Sequence, residues 1–167
     1  MAGMIYDFIE TLKLETEEYR KLAEVGSIKS GHLVKGSLKE LSDINIVETH
    51  IVSKLRSLEK KRDELLNDIS DVLNIDKNEA TVTKVEQALM GQPDEAKALR
   101  DAKVKLTEAL RELDIINRTN TDLINQSIEY ANYSLNMLQS AMGDAPMTAD
   151  YGANAEHRKN SVFDKKN

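Results

Sequence analysis

The longest pattern of apolar positions follows a seven-residue repeat between Pro93 and Met142. One core position of this repeat is leucine in the first half: Leu99, Leu106 and Leu113. The same position becomes polar in the second half: Asn120, Ser127 and Ser134. The companion position stays mostly apolar: Ala102, Ala109, Ile116, Leu123, Tyr130 and Met137. This predicts one long amphipathic helix whose core-facing side turns polar, which favours a partner surface at its carboxyl end.

Two further stretches have helical spacing. The apolar residues from Ile5 to Val25 predict a first helix that begins near Gly3 and ends between Lys29 and Lys35. Its glycines each cost about 1 kcal/mol relative to alanine inside a helix, which makes this end the weakest part. The residues Ser37-Leu38-Lys39-Glu40 form a capping-box pattern and predict the start of a second helix that runs to about Leu73. Its seam repeats every seven residues: Ile44, Ile51, Leu58, Leu65 and Val72. The partner position of this seam is interrupted by Glu48 and Arg62.

A short helix is predicted around residues 81–90, and Pro93 suits the first turn of the last helix. Because short connections make consecutive long helices antiparallel neighbours, the fold class is all-α. The expected architecture is an elongated antiparallel hairpin or bundle of three long helices and one short helix, with coiled-coil-like packing. Residues 1–143 are predicted to form this helical domain. Residues 144–167 lack periodicity and are predicted to be a disordered tail.

Charge and composition exclude several classes of partner. The chain has 23 basic and 29 acidic residues, a net charge of −6, which gives no general attraction to nucleic acid or anionic membranes. The lack of cysteine excludes disulfides and thiolate metal sites and fits a reducing cytosol. No apolar run is long enough to cross a bilayer. We therefore expect a soluble cytoplasmic protein that binds no nucleic acid and does not insert into membranes.

The sequence contains no recognisable catalytic or cofactor-binding pattern. The three histidines have no second histidine or cysteine at ligand spacing, so a structural or solvated role is expected for each. The glycine spacing of Gly26 to Gly31 matches a phosphate loop, but the required lysine is replaced by His32. We expect no metal, no cofactor and no enzymatic activity.

The polar core positions of the last helix have two interpretations. A buried polar residue such as Asn120 fixes the register of helix pairing at some cost in stability. Several successive polar positions with apolar residues on more than one face are instead typical of a helix that contacts its own bundle and a second protein. The sequence favours an interaction surface over register control alone.

Five segments, taken in order along the chain, resemble one known family. They are the acidic, tyrosine-containing opening from Ile5 to Leu22, the turn from Lys35 to Leu41, the segment from Leu58 to Leu65, the stretch from Leu113 to Tyr130, and the pair Tyr151-Gly152. This combination resembles the FlgN-like flagellar export chaperones. The resemblance implies a helical cytosolic protein that binds hook-associated proteins, keeps them unassembled and delivers them to the export gate.

The resemblance also implies the binding residues. The residues expected to contact the cargo are Ile116, Asn117, Asn120, Leu123, Ile124, Ser127, Ile128, Tyr130 and Leu135. Tyr151, in the tail, is expected to contact the export gate or the cargo. The alternative is a structural or scaffolding coiled-coil protein that associates with itself as a homo-oligomer.

Overall fold

A computed structural model describes residues 2–142 of the chain. The long helices are α1 (Ala2–Lys35), α2 (Leu38–Leu73) and α4 (Pro93–Met142), and the short helix α3 spans Val82–Ala88. A single 3-10 turn, Lys77–Glu79, lies between α2 and α3. These described residues contain no strand, so the predicted all-α class is confirmed. The predicted tail and Tyr151 lie outside the described residues.

The helix α1 ends at a left-handed glycine. Gly36 has φ +68°, a conformation that glycine adopts without a steric penalty. The amide of Ser37 donates to the carbonyl of His32 over 3.2 Å, and that of Gly36 donates to Leu33 over 3.3 Å. These two bonds form a Schellman motif. The helix therefore continues through Gly26 and Gly31 and stops at the third glycine.

The capping box predicted at Ser37 is wrong, although α2 does begin directly after this residue. The Ser37 side chain makes no capping hydrogen bond. A capping box also needs the backbone N–H of its first residue as donor to the glutamate three residues later. That N–H already donates to the carbonyl of His32 at the end of α1, because Ser37 is both part of the stop signal of α1 and the residue before α2.

Ion pairs show that α1 and α2 are antiparallel. Arg62 of α2 reaches both carboxylate oxygens of Glu15 at 3.2 Å. Further along, Lys54 contacts Glu18 at 2.5 Å, and Lys29 contacts Glu48 at 2.7 Å. The residue numbers of the α2 partners thus decrease as those of the α1 partners increase, as in an antiparallel pair.

The pKa values of two carboxyls in this interface are shifted in opposite directions. Burial raises the pKa of Glu15, and the Arg62 guanidinium offsets only part of that effect. Burial also raises the pKa of Glu18, but Lys21 and Lys54 together outweigh it and lower the pKa of this carboxyl below its usual range. Nearby, the Tyr19 hydroxyl donates to Glu59 over 2.6 Å, and burial and this bond raise the pKa of Tyr19.

The hydrophobic core lies where four helices meet. It unites the amino ends of α1 and α4 with the carboxyl end of α2 and with α3. The core cluster consists of Ile5, Phe8, Ile9, Leu12, Ile69, Val85, Leu89, Ala96, Leu99, Ala102 and Leu106. On the surface of α3, Glu86 pairs with Arg100 of α4 at 2.6 Å.

The chain divides into two compact units, Met1–Leu123 and Ile124–Asn167, and α4 contributes residues to both. Within the first unit, the amino ends of α1 and α4 share the core. Gly26, far along α1, contacts Asn120, far along α4. The two helices therefore run in the same direction.

Candidate binding surface

The leucine half of the α4 repeat is buried, as expected for core positions of the repeat. The apolar side chains of α4 that are buried in the first unit are Ala96, Leu99, Ala102, Leu106, Ala109 and Leu113. Apart from Ala96 they follow the heptad, so each turn presents one or two of them to the core. The predicted polar positions begin directly after this run.

Asn120 is buried against α1 and is fully engaged there. Its side chain is 6% exposed. The Asn120 Nδ2 donates to the carbonyl of Gly26 over 2.8 Å, and the Ser30 hydroxyl donates to Asn120 Oδ1 over 2.5 Å. A buried amide satisfied in this way fixes the register of two helices. This arrangement matches the register-control interpretation of Asn120.

Gly26 allows α1 and α4 to approach closely at this point. A Cβ atom at position 26 would lie 2.9 Å from Ile116 Cγ2 and 3.7 Å from Asn120 Nδ2. The first distance is shorter than carbon atoms tolerate without moving, and a β-branched isoleucine has little rotamer freedom in a helix. Glycine at this position therefore makes room for the side chains of α4.

The remaining expected cargo residues of the first unit differ in exposure. Ile116 is half-buried beside Gly26, and Leu123 is half-buried. Asn117 is exposed. Ile116 and Asn120 of α4 thus both pack against α1, whereas Asn117 faces solvent.

The expected residues of the second unit are mostly exposed. Tyr130 is 73% exposed, and Ile124 and Leu135 also lie at the surface. Ser127 is exposed and Ile128 is half-buried. None of the described residues 124–142 is buried, so this part of α4 presents large apolar side chains without burying them.

Two parallel rows of side chains follow this part of the helix. The core row continues the heptad of the first unit: Ser127, Tyr130, Ser134, Met137 and Ala141. A second row begins one residue later and has the same alternating spacing of four and three residues. This distal row consists of Ile124, Ile128, Ala131, Leu135, Leu138 and Met142. At 100° per residue the rows lie about 100° apart on the helix.

A family comparison identifies the chain. The model of the FlgN family, described as "FlgN protein", matches residues 1–159. The chain belongs to the FlgN family. Comparison with curated proteins and with solved structures returned no match.

The FlgN family is a family of flagellar export chaperones, and the family predicted from the sequence is therefore confirmed. Its members act by binding flagellar proteins. An exposed apolar helix face suits such a role, because amphipathic helices bind through rows of side chains at this spacing.

The residues expected to contact the cargo did not include Leu138 and Met142 of this FlgN chain. Leu138 is 60% exposed and, like Met142, continues the distal row. Both residues keep the spacing of Ile124, Ile128 and Leu135, and they belong to the apolar residues on more than one face that favour an interaction surface.

Residues 2–142 lack the features of a metal site and of a membrane span. No cluster of three or more His, Cys, Asp or Glu in this part of the chain is placed to hold a metal ion. No helix among the same residues has both the length and the apolar character needed to cross a bilayer.

Proposed function

We propose that this FlgN-family protein is a cytoplasmic chaperone of flagellar type III export that binds hook-associated proteins. It prevents their premature assembly and delivers them to the export apparatus. The observation that carries the proposal is the family match over residues 1–159. The exposed apolar side chains of residues 124–142 support it, because a chaperone of helical segments needs a surface of this kind.

The proposed cargo surface is the exposed part of α4 after Leu123. Ile124, Ile128, Tyr130 and Leu135 supply apolar area to a bound helix. Asn120 and Ile116 are engaged with α1 and are not needed for this contact. Tyr151 lies outside the described residues and is proposed to contact the export gate or the cargo.

Two full-length variants test the proposal with the same substitution. Ile124→Glu places a charge on the proposed surface. Ile115→Glu places the same charge on an isoleucine of α4 that is 65% exposed and lies outside that surface. Each variant is co-expressed with a hook-associated protein, and the captured amount is measured by affinity purification. We expect Ile124→Glu to weaken capture about tenfold or more, because a charge buried at an apolar interface lacks a partner.

The control variant Ile115→Glu should capture the same amount as the natural chain. Equal capture by both variants would exclude the proposed surface. Light scattering addresses the scaffolding alternative. A stable homo-oligomer that captures no hook-associated protein would refute the chaperone proposal and favour self-association.

A further inference from the structure

Charge is distributed unevenly along α4. Between Ile124 and Met142 the only charged side chain is Glu129, although charged residues make up 31% of the whole chain. The first part of the same helix, from Pro93 to Leu123, carries seven acidic and six basic side chains. The surface proposed to bind cargo is therefore apolar and almost uncharged.

The residues that flank the distal row are uncharged, and all but one are amides or hydroxyls. On one side, about 100° around the helix, lie Asn125, Asn132 and Gln139 at seven-residue intervals. On the other side lie Ser127, Ser134 and Ala141 of the core row. The heptad position of the three amides is basic at Lys97, Arg111 and Arg118 earlier in α4 and is interrupted there only by Val104. The change from charge to amide coincides with the start of the distal row.

Flanking residues select the partner of a paired helix. In a coiled coil the positions beside the apolar seam form ion pairs across the interface, and these pairs decide which helices associate. Amides and hydroxyls offer no opposite charge. A lysine or glutamate on the flank of a partner would lose water at this surface without gaining an ion pair.

We propose that the distal row binds an amphipathic helix whose flanking positions are uncharged Ser, Thr, Asn or Gln. This inference rests on the proposed function for the identity of the protein that supplies the helix. The surface therefore disfavours helices whose flanking positions are charged. Because no ion pair contributes, the affinity of the complex is nearly independent of salt.

Three synthetic peptides probe the full-length protein directly. They share one row of Leu and Ile with the spacing of the distal row, and they differ only in flanking residues: Ser and Gln, Glu, or Lys. A hydrocarbon staple on the outer face equalises their helix content, which circular dichroism verifies. We expect the Ser/Gln peptide to bind about tenfold more tightly than either charged peptide. Its Kd should change by less than about twofold between about 50 mM and 500 mM salt.

A charge added to the flank should change this preference. In the variant Asn125→Lys with Asn132→Lys, the Glu peptide should become the tightest ligand and its binding should weaken with salt. The single variant Asn125→Lys, at an exposed position, should shift the preference in the same direction by a smaller amount. The matched control is Gln126→Lys with Ser140→Lys, which adds the same charge on the side of the helix away from the distal row. This control should keep the preference of the natural chain.

Specific outcomes separate this inference from the proposed function. It is overturned if a charged peptide binds the natural chain as tightly as the Ser/Gln peptide, or if both lysine pairs change the preference equally. Capture of hook-associated proteins that is unaffected by Asn125→Lys with Asn132→Lys also overturns it. If the peptide preference holds but no hook-associated protein is captured, the inference stands and the proposed function fails.

Discussion

The two ends of the α1–α2 hairpin have the same secondary structure and very different packing. At the core end, the beginning of α1 and the end of α2 contribute Phe8, Leu12 and Ile69 to the core cluster, and all three are fully buried. At the hairpin end, no residue from Ser27 to His50 is buried. Both ends are continuous helix apart from the turn at Gly36. The difference shows that an apolar heptad produces a helix readily but produces a core only where other helices cover it.

Polar contacts hold the hairpin end together. Lys29 reaches Glu48 and also donates to Asn45 over 3.0 Å. The contact of Asn120 with Gly26 lies at the boundary between the two ends, because Gly26 is the last buried residue of α1. Partly exposed ion pairs contribute only about 0–1 kcal/mol each. We therefore expect the hairpin end to be the less stable part of the first unit.

Matched leucine substitutions should give the largest difference between the two ends. Leu12 is fully buried in the core cluster, whereas Leu38 at the hairpin end is 81% exposed. Leu12→Ala should lower the free energy of unfolding by about 2–5 kcal/mol, because it removes buried methyl groups and leaves a cavity. Leu38→Ala should change it by no more than about 0.5 kcal/mol. Urea denaturation followed by circular dichroism measures both, and similar losses would contradict the comparison.

Alanine at two glycines of α1 should act in opposite directions. At Gly31, in the hairpin end, a Cβ atom has no neighbour within 4 Å. Gly31→Ala should therefore stabilise the protein by about 0.5–1 kcal/mol through helix propensity and a less flexible unfolded chain. In Gly26→Ala the new Cβ atom collides with Ile116. This overpacking should outweigh the gain in helix propensity and lower the free energy of unfolding by about 1 kcal/mol.

Thermal and urea unfolding of the two glycine variants supply the measurement. Gly31→Ala serves as the control for helix propensity, since both variants make the same chemical change in the same helix. Stabilisation by both variants would show that α1 and α4 separate easily at Asn120 and that the boundary lies elsewhere.

The pH dependence of stability should sharpen the comparison between neighbouring carboxyls of α1. Glu18 has a pKa below its ordinary value of 4.5, so it binds protons more weakly in the folded protein than in the unfolded chain. Its contribution is present above pH 4.5 and is lost as the pH falls through the folded pKa. Glu15 has a pKa above 4.5, so its ionisation reduces stability as the pH rises from 4.5 through the folded pKa.

Free energies of unfolding between about pH 3 and pH 7 test these signs. The free energy of unfolding of the natural chain minus that of Glu18→Gln should increase as the pH rises. The free energy of unfolding of the natural chain minus that of Glu15→Gln should decrease as the pH rises. Slopes of the same sign for both variants would show that Arg62 compensates fully for the burial of Glu15.

Much of the secondary structure follows from local signals in the sequence. The heptads of α2 and α4 predict those helices, and Pro93 and Leu73 lie at the boundaries that the pattern indicates. The sequence does not specify where α1 ends, because Gly26, Gly31 and Gly36 are all possible stop signals. In the structure only Gly36 of these three adopts a left-handed conformation. That choice depends on which carbonyls the following amides can reach, and local composition does not reveal it.

The pairing of polar residues could not be predicted in the same way. Glu48 and Arg62 occupy seam positions of α2 that are otherwise apolar, and the sequence shows them only as interruptions of the apolar repeat. The structure pairs them with Lys29 and Glu15 of α1. Which residue of one helix meets which residue of another depends on the register and direction of packing, so no single helix contains this information.

By itself the sequence determined the helical class and the order of the helices, because seven-residue periodicity and local stop signals act over a few turns. It also indicated the family, through segments that resemble the FlgN-like chaperones. Only the tertiary structure decided which polar residue of α4 holds the bundle and which apolar residues remain at the surface. Asn120 and Ser127 occupy equivalent positions of one repeat, yet Asn120 is buried against Gly26 and Ser127 is exposed. The physical reason is that burial depends on neighbouring helices, and periodicity specifies a face of a helix without specifying what covers it.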